Sequence, residues 1–158
     1  NEVIAARMQA NLEALGGVQY SAEEQSYAEQ IHATLDTPEF ALGSERVVQA
    51  MHRRQNMGST DVGDISWNVP TAELSTATWV PGTAPHSWQA IAAGGTTIGI
   101  KGLQLAAKAL ALTAADFYEN PELARQARAA FDQQRGEGFV YTPLIGDREP
   151  PLDYRRQP

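Results

Sequence analysis

Long helical patterns interleaved with short β-branched runs predict an α/β fold, a mixed sheet packed against helices. Three observations carry this expectation. Apolar residues recur at helical spacing at both ends of the chain, runs rich in Ile, Val, Thr and Trp occupy positions 65–80, and an Ala- and Leu-rich, almost uncharged stretch follows His86. A chain of 158 residues fits one domain, positions 1–158.

Val3, Ile4, Met8, Leu12 and Leu15 lie on one helical face, and Gly16-Gly17 stops that helix. Ser21 with Glu24 is a capping-box pair, after which Tyr27, Ile31 and Leu35 follow at four-residue steps until Thr37-Pro38 ends the second helix. Positions 38–56 are ambiguous, since Val47, Val48 and Met51 suit a short helix that Arg53-Arg54 would merely solvate. Ile65 to Val69 and Ser75 to Val80 read as two strands punctuated by Pro70-Thr71 and Pro81-Gly82. From Thr97 to Tyr118 the charges are only Lys101, Lys108 and Asp116, so the expectation is a core helix buried on most sides, lying on one face of the sheet. Asn120-Pro121 opens a surface helix to Arg135, with Leu123, Ala127, Ala130 and Phe131 as its apolar stripe. The Pro-rich tail allows at most an edge strand at Gly138 to Tyr141.

Nineteen acidic residues against 12 basic ones argue against a nucleic-acid surface, which needs clustered positive charge. The absence of cysteine excludes disulfides and thiolate metal sites, leaving histidine and carboxylates for any metal. No run approaches the ~20 apolar residues of a membrane span, and Asn1-Glu2-Val3 lacks the form of a signal peptide, so a cytoplasmic protein with no membrane partner is expected. The chain opens inside a helical pattern and without Met, which suggests a start further upstream.

Three histidines are available. His32 sits inside a helix, where a lone histidine is usually structural, and His52 adjoins two arginines whose charge disfavours a cation. His86, in Pro81-Gly82-Thr83-Ala84-Pro85-His86-Ser87-Trp88, falls between a predicted strand and a helix, where ligands gather in open sheets. A lone histidine there more often makes a structural hydrogen bond than a metal bond. Asp61 and Asp64 lie in the turn-rich Gly58 to Asp64 segment, either as a binding loop or as turn caps. Glu23-Glu24 falls in a first helical turn, where carboxylates complete a cap rather than a catalytic pair. Gly94-Gly95 and Gly99 lack the lysine and the strand-to-helix setting of a phosphate loop, and no serine sits in a nucleophile elbow.

The ordered set Gly58-Ser59-Thr60-Asp61-Val62-Gly63-Asp64-Ile65-Ser66-Trp67, Pro70-Thr71 and Pro81 to Gln89, continued by Ala92-Ala93-Gly94-Gly95 and Ala106-Ala107-Lys108, resembles one known family. It is similar to the aminobenzoyl-glutamate utilisation protein B-like amidohydrolases, in the aminoacylase and carboxypeptidase G superfamily. The resemblance implies the C-terminal part of a zinc-exopeptidase-like catalytic domain, with the N-terminal catalytic half and the dimerising lid domain absent. It implies two divalent ions, zinc or manganese, in the full-length enzyme, with His86 as the late-arriving ligand. Asp61 would orient that histidine or contact substrate. Apart from the resemblance, the proximity of Gly82 and Thr83 to His86 alone suggests that they offer a backbone N–H and a hydroxyl to the substrate or its oxyanion. Substrates would be N-acyl amino acids or small dipeptides, aminobenzoyl-glutamate foremost, and the enzyme a homodimer through its lid. The family's His-x-Asp motif, bridging Asp and paired Glu have no counterpart here, so this chain alone is expected to be inactive. The alternative is a non-catalytic binding or structural protein derived from the same fold.

Overall fold

The computed structural model describes residues 1–53, 58, 60–152 and 155. Arg54 and Ser59, which entered the sequence argument, lie outside the described residues. Helix α1 spans Glu2–Leu15, α2 Ala22–His32, α3 Val62–Ser66, α4 Trp88–Gly94, α5 Thr97–Glu119 and α6 Pro121–Arg135, with a 3₁₀ turn at Ser44–Arg46. Helices α1, α5 and α6 pack on one another, α4 leads into α5, and α2 rests on α4.

The predicted mixed sheet is overturned: the described residues form helices joined by turns and irregular segments, with no strand among them. Ile65 to Val69 is expected as a strand from its β-branched and aromatic side chains. The carbonyl of Asp61 instead accepts from the Asp64 amide at 3.1 Å and the Ile65 amide at 3.4 Å, so the segment begins as the one-turn helix α3. Ser75 to Val80 has the composition of a strand but no neighbour to pair with, and a strand exists only through its ladder. Gly138 to Tyr141 is also irregular: Gly136 and Gly138 take positive φ, Phe139 stacks on Trp67 at 4.8 Å, and the Tyr141 hydroxyl donates to Asp64.

The caps read from sequence are present. Ser21 Oγ accepts from the Glu24 amide at 3.2 Å while Glu24 Oε2 accepts from the Ser21 amide at 2.6 Å. Asn120 Oδ1 accepts from the Glu122 amide at 3.1 Å, with Pro121 opening α6. Ala28, Ile31, Val80, Ala93 and Ile98 form the core where α2, α4, α5 and the loop before α4 meet. Met8, Ala109, Ala127 and Phe131 are buried on the three longer helices. Between α1 and α5, Arg7 Nε donates to Asp116 Oδ2 at 2.5 Å, and buried Asn11 donates to Thr113 at 3.1 Å.

Helix α5 departs from its expected burial. Ile98, Gly99, Gly102, Ala109 and Thr113 face the interior, whereas Ile100, Leu103, Leu110 and Tyr118 on the other side are exposed. It is apolar on both faces, and only one is covered. With 23 residues it is also long and apolar enough to cross a bilayer by length and composition, a test that the core helix of a soluble protein passes as well.

Glu24 ties α2 to α5 through an ion pair with Lys101. Burial alone would raise its carboxyl, but bonds from Lys101, Thr97 and the Ser21 amide outweigh that and bring it from 4.5 to about 2. A folded-state value below the unfolded one contributes stability that is complete above about 4.5 and is lost as pH falls toward 2. Glu24→Gln should therefore melt lower than the parent at pH 6, with the gap closing in acid. A gap independent of pH would show that the charge contributes nothing.

Candidate functional site

The turn from Val80 to Ser87 carries most of the predicted site residues. Val80 is almost fully buried in the core, and its carbonyl accepts from the Thr83 amide at 3.1 Å, closing a tight turn. Gly82 sits in that turn with φ 79°, and a Cβ there would stand 2.4 Å from the Pro38 Cβ, so glycine is required by the fold itself. Thr83 Oγ1 is buried without a hydrogen-bond partner. At the other end, Ser87 caps α4 by accepting from the Ala90 amide at 3.2 Å and donates to Ala84 O at 2.7 Å.

His86 lies between these anchored ends. It is exposed, its ring makes no hydrogen bond among the described residues, and it alone of the described non-glycine residues has positive φ, at 61°. Left-handed backbone costs a side-chain-bearing residue roughly 1–2 kcal/mol. Such outliers cluster where the surrounding structure imposes them for a functional reason. Trp88 and Ile91, both exposed and three residues apart on α4, lie two and five residues along the chain from this imidazole.

Asp61 is at the N-terminus of α3, exposed, and its side chain caps nothing. Its neighbourhood is joined to Phe139 and Tyr141 of the tail. The His86 turn is instead tied to the end of α2, where Gln89 donates to Thr34 at 3.2 Å. No hydrogen bond or ion pair among the described residues joins Asp61 to His86. Among the described residues no group of three or more His, Cys, Asp and Glu is placed to hold a metal ion. The described residues therefore do not by themselves fit a metal centre.

His32 Nε2 lies 3.3 Å from the Phe40 carbonyl and His52 Nδ1 3.1 Å from the Ala50 carbonyl, which gives both rings local roles.

Gly82 and Thr83 also border a cleft of about 880 Å³ between α1, α5 and the loops at 47–52 and 73–80. Sequence reasoning missed this feature. Glu45 belongs to it, with a fully buried side chain whose Oε2 accepts from the Gly43 amide at 2.7 Å. Nearby Tyr20 has a buried, unpartnered hydroxyl that burial, then the Glu45 and Glu24 carboxylates, push well above the ordinary phenol range.

Comparison with known proteins gives one relationship to report. The chain is 29% identical, over 158 aligned positions, to a p-aminobenzoyl-glutamate hydrolase subunit of Escherichia coli strain K12, an alignment covering 84% of this chain and 33% of that protein. The chain thus spans about a third of the length of the curated relative it matches. No family model matches, and no solved structure does. The similarity connects this chain to a hydrolase subunit.

Proposed function

We infer that this chain supplies His86 to an amidohydrolase that cleaves N-acyl amino acids or small dipeptides, with p-aminobenzoyl-glutamate as the leading substrate. The observation that carries the reading is the exposed imidazole of His86, free of structural hydrogen bonds and held in a left-handed turn whose two ends are fixed. A structural histidine would spend its nitrogens on the fold. The 29% identity to a p-aminobenzoyl-glutamate hydrolase subunit supports the same chemistry.

In this reading His86 gives one nitrogen to a divalent zinc or manganese ion whose other ligands come from outside these residues. A bound pair of such ions would polarise the scissile carbonyl and provide a water for attack. The chain's own contribution is to hold the imidazole outward on a turn fixed by the Val80 carbonyl and the Ser87 cap. Gly82, four residues before His86, would offer its amide to the substrate, with Thr83 beside it, while Asp61 would approach only in a larger assembly. The relative is named as one subunit of its hydrolase, which fits a site completed by other polypeptide.

The test is release of p-aminobenzoate from p-aminobenzoyl-glutamate. The 158-residue chain alone should release none, while a longer polypeptide containing it, or its complex with a completing polypeptide, should do so and should carry bound metal. A metal-free longer protein that leaves the amide intact would favour the non-catalytic reading.

A further inference from the structure

Beside the end of α3 lies a pocket of about 150 Å³, between Ser66, Trp67 and Thr71 on one side and Phe131, Gln134 and Arg135 of α6 on the other. Aromatic rings surround Arg135, the only charged side chain that lines it. The guanidinium stands over Phe131 at 4.9 Å from the ring centroid and 6.0 Å from that of Phe139, which in turn stacks on Trp67. Phe131 is buried, while Trp67 stays exposed. Arg135 is thus held by rings rather than by hydrogen bonds, and it makes none among the described residues: Asp132 Oδ1 is 3.6 Å from its Nη2, and its Nε is buried without a partner. The same Asp132 accepts from Arg128 Nε at 2.9 Å, so one carboxylate serves two guanidiniums and positive charge is left over, in a chain whose formal charge is −7. Aromatic rings attract a cation but offer no lone pair to its N–H groups, so Arg135 keeps donors for a further acceptor.

We propose that this pocket binds a small aromatic carboxylate, with its ring against Trp67 and Phe131 and its carboxylate on the guanidinium of Arg135. Size sets the upper limit, since an engineered cavity of about this volume holds one benzene ring. Aromatic walls favour a flat ring, whose edge and face both find complementary charge on them. The forked donors of a guanidinium match the two oxygens of a carboxylate. No carboxylate side chain competes for Arg135 inside the pocket, and Asp64 on α3 is engaged by the Tyr141 hydroxyl. The Ser66 hydroxyl donates to Gly63 O at 2.7 Å and that of Thr71 to Val69 O at 3.0 Å, which leaves both oxygens able to accept from an amino or hydroxyl substituent on the ring. None of the lining residues belongs to the His86 turn, so the site stands apart from the hydrolytic reading.

The probe is benzoate, titrated into the isotope-labelled full chain and followed by N–H correlation spectra that resolve the indoles of Trp67, Trp79 and Trp88 and the Nε–H of Arg135. Saturable shifts should appear at Trp67 and Arg135 and not at Trp79 or Trp88. Acetate lacks the ring and benzyl alcohol the charge, and each should bind roughly tenfold more weakly than benzoate. Arg135→Lys keeps the charge without the fork, and Trp67→Leu removes a ring wall; each should weaken benzoate roughly tenfold. The Asn1 amino group, also at the pocket, already donates to Thr71 O at 2.7 Å, so acetylating it should leave benzoate binding nearly unchanged. Should a variant lose its fold by circular dichroism, the acetate and benzyl alcohol arms carry the same distinction. Shifts that do not saturate by ~20 mM benzoate, shifts spread over all three indoles, acetate or benzyl alcohol binding as well as benzoate, or loss of binding on acetylation would each overturn the proposal.

Discussion

Changing His86 to glycine is expected to raise the thermal stability of the chain while abolishing hydrolysis by the enzyme that contains it. At φ 61° the imidazole-bearing residue carries backbone strain of roughly 1–2 kcal/mol that glycine does not. The exposed ring makes no hydrogen bond whose loss would offset that relief. A gain of about 1 kcal/mol corresponds to roughly 2–4 °C in Tm for a domain of this size. His86→Ala keeps the Cβ and therefore the strain, so it should leave Tm nearly unchanged. Both variants remove the imidazole. In the role proposed for His86, its loss should cost at least the upper end of the ~10–100-fold that residues behind a metal's ligands commonly cost, with a fall in bound metal. Calorimetry on the chain and turnover with metal content on the complete enzyme separate the two effects. An active, fully metallated His86→Ala enzyme would remove His86 from the site.

The helices were legible because local chemistry suffices to define them. Ser21 with Glu24 and Asn120 with Pro121 are caps whose hydrogen bonds close within three residues, so the sequence contains both partners. The predicted strands failed, because β-branched composition states a preference while the ladder needs a second segment. Ser75 to Val80 kept its preference without finding one, and Ile65 to Val69 was captured by the one-turn helix that Asp61 initiates. The open face of α5 was misread for a related reason: an uncharged helix announces that it dislikes water, but says nothing about how many of its sides have neighbours.

The candidate site was legible only in part. His86 stood out through its setting between Pro81-Gly82 and Ser87, but its left-handed backbone has no sequence signal, since histidine adopts that region only occasionally. The cleft could not be read at all. Its walls at 47–52 and 73–80 and its floor on α1 and α5 come together only in the fold. Val47 and Met51, which the sequence offers as the apolar side of a short helix, are instead exposed along its edge.

Gly102→Ala should destabilise the chain, against the direction that helix propensity gives. In the interior of α5, alanine would ordinarily be favoured over glycine by about 1 kcal/mol. A Cβ on Gly102, however, would stand 2.4 Å from the Ala77 carbonyl oxygen and 2.9 Å from Thr78 Cγ2, contacts that cannot be kept. The obstacle is backbone, so a rotamer change does not relieve it, and the 72–79 segment must lift from the helix. That movement also breaks the bond from Thr76 Oγ1 to Gly102 O and disturbs Val80, which is buried in the core. Overpacking of this kind costs about 1–3 kcal/mol and the hydrogen bond about 1 kcal/mol more, which together exceed the propensity gain. Gly102→Val, bulkier and β-branched, should lose still more and reach several degrees in Tm. Gly63→Ala in α3 is the control, since a Cβ there meets nothing within 4 Å and alanine should be neutral or mildly stabilising. Urea unfolding of the three variants decides the matter: a Gly102→Ala chain as stable as the parent would mean that the 72–79 segment does not lie against α5 in solution.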